Sequence, residues 1–265
     1  MRWKGGLLSV FALAASCTGG CTNVDAALPE QVERVKASVV AVGTFSPTRN
    51  PRFGFRGTGF VVGDGTLVAT NAHVVPDTLK SEEKETISVA LGALAGRPPE
   101  LRPATLVGLD RDHDLALLRI SGAPLPALKL GDSSAVREGE AIAFTGFPIG
   151  SVLGLYPVTH RGIVSSITPI VIPSATSRQL DAKIIRRVQS GAFEVFQLDA
   201  TAYPGNSGSP VYLADGDSIV GIINMVFVKG TKEAALTNPT GISFAIPSQF
   251  LQSLVGQSST GTSAK

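Results

Sequence analysis

The stretch GNSGSP, residues 205–210, places Ser207 between glycines on a turn with an apolar run on each side. Glycines let the backbone turn sharply, so that its N–H groups can point outward beside an exposed hydroxyl. This arrangement suits a serine that attacks a carbonyl and then stabilises the oxyanion that forms. Ser207 is therefore a candidate nucleophile, and an ordinary glycine turn is the alternative when the stretch is taken alone.

The composition is that of a folded protein with a large core, since 43% of the 265 residues are hydrophobic and only 17% are charged. This length fits one large β domain or two small ones. The formal net charge is only +2, and no basic stripe with interleaved aromatic residues occurs. Nucleic acid is therefore not an expected partner.

The N-terminal residues have the pattern of an export signal. Arg2 and Lys4 precede an apolar run over 6–15, which is too short for a permanent membrane span. Both cysteines follow this run, so no disulfide is expected within the folded body. Residues 13–17, LAASC, resemble a bacterial lipobox, which makes Cys17 a candidate for lipidation and membrane attachment. A cleaved signal with soluble release is the alternative. Both alternatives predict export to the bacterial periplasm or cell envelope, with 1–27 as signal and tether.

Short runs rich in β-branched residues, separated by glycine, proline or charged turns, predict two series of strands. The first series covers 38–42, 58–62, 67–70, 87–91, 104–108 and 115–120, and the second covers 141–145, 160–167, 195–199, 209–213, 219–228 and 241–246. Two such series predict an all-β fold of two closed or sandwiched units. We place the N-terminal unit at 28–135 and the C-terminal unit at 136–256.

Three other segments depart from the strand pattern. Short helices are predicted at 28–37 and 247–254, and a disordered tail at 257–265. Segment 173–191 lacks strand alternation and carries several basic residues, so it is predicted to be a long exposed loop. It is either a solvated insertion or a loop near the site that adjusts activity or recognises substrate.

A nucleophilic serine needs a base and an acid that orients the base. His73 stands at the end of a predicted strand, in VATNAHVV, and histidine titrates in the right range. The segment LDRDHDLALLRI offers Asp110, Asp112 and Asp114 as the orienting carboxylate, and the local pattern does not choose among them. The other two histidines, His113 and His160, are expected to be structural or exposed.

Three segments in order resemble the trypsin-like serine peptidases of the HtrA/Deg type: TNAHVV, DLALLRI and LDATAYPGNSGSP. LGDSSAVREGEAIAFTGFPIG, HRGIVSSI and GISFAIP are similar to further segments of that family. The resemblance covers 32–254 and implies two six-stranded antiparallel β-barrels with the active site in the cleft between them. No PDZ module is recognised after Ile246, so the chain is expected to lack one.

The resemblance also assigns catalytic roles. It implies a serine endopeptidase that works through an acyl-enzyme, with His73 as general base, Asp114 as orienting acid and Ser207 as nucleophile. The backbone N–H groups of Gly205 and Ser207 form the implied oxyanion hole, and Asn206 between them joins the candidate set. Protein or peptide substrates, in envelope protein quality control or through one narrow processing step, and a homo-oligomer are further expectations. No cofactor or metal is expected.

The implied substrate pocket is uncharged. Its candidate residues are Thr201, Tyr203, Ile223, Asn224 and Met225. Thr201 stands where trypsin-like enzymes that cleave after lysine or arginine carry an acid. A pocket of this kind favours small or medium apolar residues before the scissile bond.

Ser209 departs from the family pattern, which has glycine at this position. If the backbone there needs a positive φ, serine costs about 1 kcal/mol or more. This departure leaves open a catalytically silent chaperone-like or binding module on the same fold. An α/β-hydrolase is disfavoured, because the chain order is His, Asp, Ser.

Overall fold

The computed structural model describes residues 24–92, 99–150, 154–169, 193–216, 218–224 and 241–260. The predicted loop at 173–191, the lipidation candidate Cys17 and the pocket candidate Met225 lie outside these ranges. Two helices are described, α1 (Val24–Lys36) and α2 (Ser248–Thr260). Neither described helix combines the length and the apolarity that a membrane crossing requires.

Thirteen strands are present in the described residues. They are β1 (Val39–Phe45), β2 (Phe53–Val62), β3 (Leu67–Asn71), β4 (Thr86–Leu91), β5 (Leu101–Asp110), β6 (Leu115–Ile120), β7 (Lys129–Leu130), β8 (Ala141–Gly146), β9 (Val158–Pro169), β10 (Glu194–Asp199), β11 (Pro210–Leu213), β12 (Ser218–Asn224) and β13 (Ile242–Pro247).

The strands form two closed barrels. The first closes in the order β1-β2-β3-β6-β5-β4, and the second has the order β11-β8-β9-β10-β13-β12 with β11 pairing to β12. All pairs within the two barrels are antiparallel. The prediction of two six-stranded antiparallel β-barrels is confirmed.

Three details differ from the sequence predictions. Helix α1 begins at Val24, so the predicted tether at 1–27 is wrong for 24–27. β7 was not predicted, and it pairs in parallel with β12, so the chain joins the second sheet before the predicted boundary at 135/136. The predicted tail is wrong for 257–260, because α2 continues to Thr260. The Ser258 hydroxyl donates to the Leu254 carbonyl at 3.0 Å, so a serine side chain bonds to a backbone carbonyl of the same helix.

Strand alternation produces three buried clusters. In β1, Val40 and Val42 belong to a cluster drawn from first-barrel strands and their loops, whereas Val39 and Ala41 point the other way. A second cluster fills the C-terminal barrel. The third joins both barrels and α2, because it contains Phe60, Leu117, Phe147, Tyr212, Ile222 and Leu251. The barrels therefore share a core and do not meet through polar surfaces alone.

We expect Gly162→Ala to destabilise the second barrel by about 1–3 kcal/mol, the usual cost of overpacking. A Cβ at Gly162 would lie 2.6 Å from the Ala200 side chain and would overlap the Asp199 carbonyl. Gly256→Ala is the matched control, since nothing lies within 4 Å of its added Cβ. That substitution, in α2, is expected to be neutral or stabilising by up to about 1 kcal/mol. Urea unfolding of both variants makes the comparison, and equal unfolding free energies would contradict it.

Candidate active site

His73 lies on a single 3-10 turn, Ala72–Val74, that begins where β3 ends. Its backbone N–H donates to Asp114 Oδ1 at 2.9 Å, and its Nδ1 lies 2.6 Å from Asp114 Oδ2. A carboxylate only accepts hydrogen bonds, so Nδ1 carries the proton and Nε2 keeps its lone pair. One carboxylate thus holds the histidine turn, Ala72–Val74, at two points. The Nε2 nitrogen of the neutral imidazole can accept a proton.

Asp114 holds its position through its backbone as well. Its carbonyl accepts bonds from the Ala72 N–H at 3.0 Å and the Asn71 side chain at 3.1 Å. Its φ of 54° lies in the left-handed region, which aspartate enters more readily than most residues. The end of β3 and the turn before β6 are therefore bonded to each other around the carboxylate.

The structure distinguishes the three candidate aspartates. Only Asp114 contacts His73, whereas the Asp110 carboxylate accepts bonds from the Asp112 and His113 N–H groups at 3.0 Å each. His113 Nδ1 also lies 2.7 Å from Asp110 Oδ2. Asp110 is thus committed to shaping the turn that presents Asp114.

His113 packs this turn against helix α2. Its ring stacks on Phe250 of α2, with ring centroids 3.9 Å apart, and meets Phe193 edge-on at 4.7 Å. This is the structural role that the sequence predicted for His113, although nothing in the sequence indicated these partners. The turn that carries Asp114 is held by helix α2 as well as by its own barrel.

Asn224 contacts the same carboxylate from the second barrel. Its side-chain Nδ2 donates to Asp114 Oδ2 at 2.7 Å, and the residue is fully buried at the end of β12. Asp114 Oδ2 therefore lies between His73 and Asn224. The sequence indicated Asn224 only as a pocket residue, and its contact with the acid was missed.

The loop over 203–209, the serine loop, brings Ser207 to the first barrel. Gly205 and Gly208 adopt left-handed φ values of 103° and 89°, which glycine takes without strain. The Asn206 N–H donates to the Tyr203 carbonyl at 2.9 Å, so it is committed to the turn and is not a free oxyanion donor. Among the described residues, neither the Gly205 nor the Ser207 N–H has a backbone acceptor.

Ser209 does not carry the strain that its departure from the family pattern suggested. It is absent from the left-handed positions of the described backbone. Its hydroxyl is fully buried beside Gly146, where an added Cβ would overlap it. The missing side chain of Gly146 thus makes room for the extra hydroxyl at residue 209.

Thr58 of β2 bonds the serine loop to the first barrel. Its N–H donates to the Ser207 carbonyl at 2.8 Å, and its hydroxyl donates to the Gly205 carbonyl at 2.7 Å. The same hydroxyl accepts from the Phe147 N–H at 3.0 Å, and the Thr58 carbonyl accepts from Thr70 at 2.7 Å. Sequence reasoning missed this residue, since threonine in a strand carries no signal of such a role.

Gly57 marks where the histidine turn and the serine loop meet. A Cβ added there would lie 2.7 Å from Val74 Cγ2 and 3.1 Å from the Ser207 carbonyl oxygen. One position on β2 therefore touches both segments. The fold brings the residues next to His73 and Ser207 against the same short piece of strand.

The pocket candidates differ in exposure. Thr201 and Tyr203 are half-buried, whereas Ile223 is fully buried. The Tyr203 ring lies 5.9 Å from His160, which stacks on Phe144 at 4.9 Å between centroids. The His160 ring thus neighbours both Phe144 and Tyr203, which fits the structural one of the two alternatives predicted for it, structural or exposed.

Burial lowers the pKa of His160 below its ordinary value of 6.5. The unfolded chain therefore binds more protons at this group than the folded chain. Its contribution to stability is present above about pH 6.5 and is lost as the pH falls through the lowered folded value. His160 acts as a neutral aromatic wall at neutral pH.

The described residues contain no group of three or more histidine, cysteine, aspartate or glutamate side chains suited to a metal ion. What they do contain is an imidazole with a free nitrogen, an acid held by three donors, and a serine beside two uncommitted N–H groups. This set can transfer a proton and stabilise negative charge on a carbonyl oxygen.

Residues 57–222 match the family model described as a trypsin-like peptidase domain. The chain belongs to the trypsin-like peptidase family. The matched segment begins at Gly57, on the strand that touches both the histidine turn and the serine loop, and it includes His73, Asp114 and Ser207.

Relatives of this trypsin-like chain include proteases of the HtrA/DegP type. It is 34% identical over 204 residues to a probable periplasmic serine endoprotease, DegP-like, of Chlamydia pneumoniae, covering 76% of this chain and 34% of the relative. It is 32% identical to a protein of the same description from Marinomonas sp., covering 81% and 38%, and 34% identical to mouse serine protease HTRA4, covering 83% and 39%. The chain spans little more than a third of the length of these relatives.

Solved structures agree with the fold. A variant of the HtrA-type protease AlgW, solved with a tripeptide, has a TM-score of 0.59 at 25% identity, covering 86% of this chain and 62% of that one. AlgW with a decapeptide has a TM-score of 0.60 at 24% identity, covering 87% and 68%.

We expect Thr58→Val to lower the free energy of unfolding by about 2 kcal/mol or more, because it leaves the Gly205 carbonyl and the Phe147 N–H without their partner. Thr58→Ser keeps the hydroxyl and is expected to lose about 1 kcal/mol from the missing methyl. Denaturant unfolding compares the pair. If both variants lose the same amount, the hydroxyl is not what joins the loop to the barrel.

Proposed function

We propose that this chain is a serine endopeptidase in which His73, Asp114 and Ser207 act together. His73 Nε2 takes the proton of the Ser207 hydroxyl as its oxygen bonds to the substrate carbonyl carbon. The same proton passes to the leaving amine as the C–N bond breaks, which leaves an acyl-enzyme. Water, deprotonated by His73, then attacks the acyl carbon. The ester bond breaks, the carboxylic acid product leaves, and His73 returns the proton to Ser207.

The observation that carries this proposal is the 2.6 Å contact between His73 Nδ1 and Asp114 Oδ2. It fixes the imidazole tautomer with Nε2 as the basic nitrogen, and the carboxylate stabilises the imidazolium that forms. A histidine held in this way beside a serine loop is suited to base catalysis.

The oxyanion is assigned to the backbone N–H groups of Gly205 and Ser207. Both lack backbone acceptors within the described part of the chain, whereas the Asn206 N–H is used by the Tyr203 carbonyl. Donors already aligned for the oxyanion need no reorganisation during the reaction, which is the main source of their effect.

The substrate is a protein or peptide with a small or medium apolar residue before the scissile bond. Thr201 gives this part of the pocket no charge, and Tyr203, backed by His160, narrows it. A peptide library that shows strong preference for lysine or arginine at that position contradicts this assignment.

Export to the cell envelope is part of the proposal. The apolar N-terminal run supports it, and two relatives are described as probable periplasmic proteases. Protein quality control there, attachment through lipidated Cys17, and assembly into a homo-oligomer complete the proposal. Mass determination of the mature N-terminus distinguishes a lipidated Cys17 from a cleaved soluble form.

The central test is labelling by a fluorophosphonate, which bonds to an activated serine oxygen as fluoride leaves. Wild type is expected to label, Ser207→Ala is not, and His73→Ala is expected to label at least about a thousandfold more slowly. Ser209→Ala is the matched control, since it removes a buried hydroxyl from the same loop. Folded wild-type protein that does not label supports the silent binding module instead. Where wild type does label, casein digestion separates broad from narrow proteolysis.

Asn224→Ala should lower kcat/KM by about 10- to 100-fold, the range expected for one lost hydrogen bond to a charged group. Asn224→Asp should be worse, because it sets a second carboxylate against Asp114. Peptide hydrolysis and thermal unfolding are measured together, so that a folding defect is separated from a loss of rate. An Asn224→Asp variant as active as wild type would falsify the role of this contact.

A further inference from the structure

Arg56 of β2 places a cation directly against the histidine turn. Its Nε donates to the Val74 carbonyl at 2.6 Å, and its Nη2 lies 3.5 Å from the His73 carbonyl. The side chain is exposed. Two backbone carbonyls therefore orient an exposed guanidinium beside the base of the proposed triad.

The orientation leaves one edge of the guanidinium unused. Nε and Nη2 share the edge that faces the two carbonyls, so the N–H groups of Nη1 and the second N–H of Nη2 point away from them. A pair of parallel N–H groups of this kind matches the two oxygens of a carboxylate. The free edge is therefore shaped for an acidic group.

Arg56 also lacks a carboxylate partner within the described residues, unlike other arginines of the same barrel. Arg49 pairs with Glu85 at 3.0 Å and Arg102 pairs with Glu100 at 2.7 Å, and both partners come from the chain itself. The acid of the site, Asp114, bonds to His73 and Asn224. The charge of Arg56 is thus available to a ligand.

The neighbours of Arg56 place it beside the path of a substrate. The Phe55 ring lies 3.0 Å from the position of a Cβ on Gly205, and Gly57 touches both Val74 and the Ser207 carbonyl. To react, a substrate carbonyl has to lie against the Ser207 hydroxyl, within reach of His73. Because Arg56 bonds to the carbonyls of the histidine turn, a peptide held against this turn lies next to the segment that carries the guanidinium.

We propose that Arg56 forms a subsite for an acidic side chain within three residues of the scissile bond. This inference rests on the proposed function and adds to it a substrate class, proteins with aspartate or glutamate near the cleaved bond. Arg56 is a specificity-determining residue here and takes no part in the bond changes.

The test compares peptides that carry an apolar residue before the scissile bond and differ only by Glu or Gln at one of the other positions within three residues of that bond. Wild type is expected to cleave one Glu peptide about three- to fivefold faster in kcat/KM than its Gln partner, and added salt should reduce the difference. Arg56→Gln should abolish that preference, so that the Glu and Gln peptides are cleaved at equal rates. Arg56→Lys should keep part of the preference, since it retains charge but loses the fork.

Arg137→Gln is the matched control, because it removes an exposed arginine of the second barrel that pairs with Glu140. It should leave the preference intact. If Arg56→Gln slows the Glu and Gln peptides equally, the residue only positions the histidine turn, and the subsite is overturned. The same holds if wild type shows no preference at any position.

Binding separates this inference from the proposed function. The same peptides, titrated against Ser207→Ala by fluorescence polarisation, need no turnover. Tighter binding of one Glu peptide that disappears with Arg56→Gln supports the subsite even where wild type cleaves nothing. Equal binding of every Glu and Gln pair contradicts the subsite, even where both peptides are cleaved.

Discussion

The docking of the serine loop onto β2 is the contact on which the whole site depends. His73 and Asp114 belong to the first barrel, whereas Ser207 belongs to the second. Thr58 makes three hydrogen bonds across this seam, with the carbonyls of Gly205 and Ser207 and with the Phe147 N–H. Its side chain and backbone are used together, so the loop is fixed in both position and orientation. A seam of this kind turns two barrels into one site.

A second bond across the seam reaches the acid itself. Asn224 donates to the same Asp114 oxygen that faces His73, so the carboxylate is held from both barrels. An amide suits this task because it donates without adding charge beside a carboxylate. A carboxylate that is partly withdrawn from water is tolerated where its hydrogen bonds are satisfied, and Asp114 receives three from side chains and backbone. The left-handed backbone of Asp114 is tolerated for the same reason, since the surrounding bonds over-determine it.

Most of the fold could be predicted from the sequence, but fewer of the contacts in the candidate site could. Alternation and turn residues predicted two series of strands, and the family resemblance implied that they close into barrels. β7 is only two residues long, and no periodic pattern marks so short a strand. Ordered motifs indicated His73, Asp114 and Ser207. They could not indicate Thr58, Asn224 or the stacking of His113 on Phe250, because those partners meet only after distant segments fold together. The backbone strain considered for Ser209 is absent, because the left-handed positions of the loop fall on Gly205 and Gly208. Residue types alone do not show which positions of a loop adopt a positive φ.

The shared core explains what holds the two barrels together. Phe60 and Leu117 of the first barrel pack in one buried cluster with Phe147 and Tyr212 of the second. Separating the barrels would expose these side chains to water, at about 1.5–3 kcal/mol for each large apolar group. The hydrogen bonds at Thr58 and Asn224 are therefore not the main source of the docking energy, and what they add is mainly a fixed geometry. Apolar packing supplies most of the energy of docking, and the polar contacts select the orientation in which the histidine turn and the serine loop meet at β2.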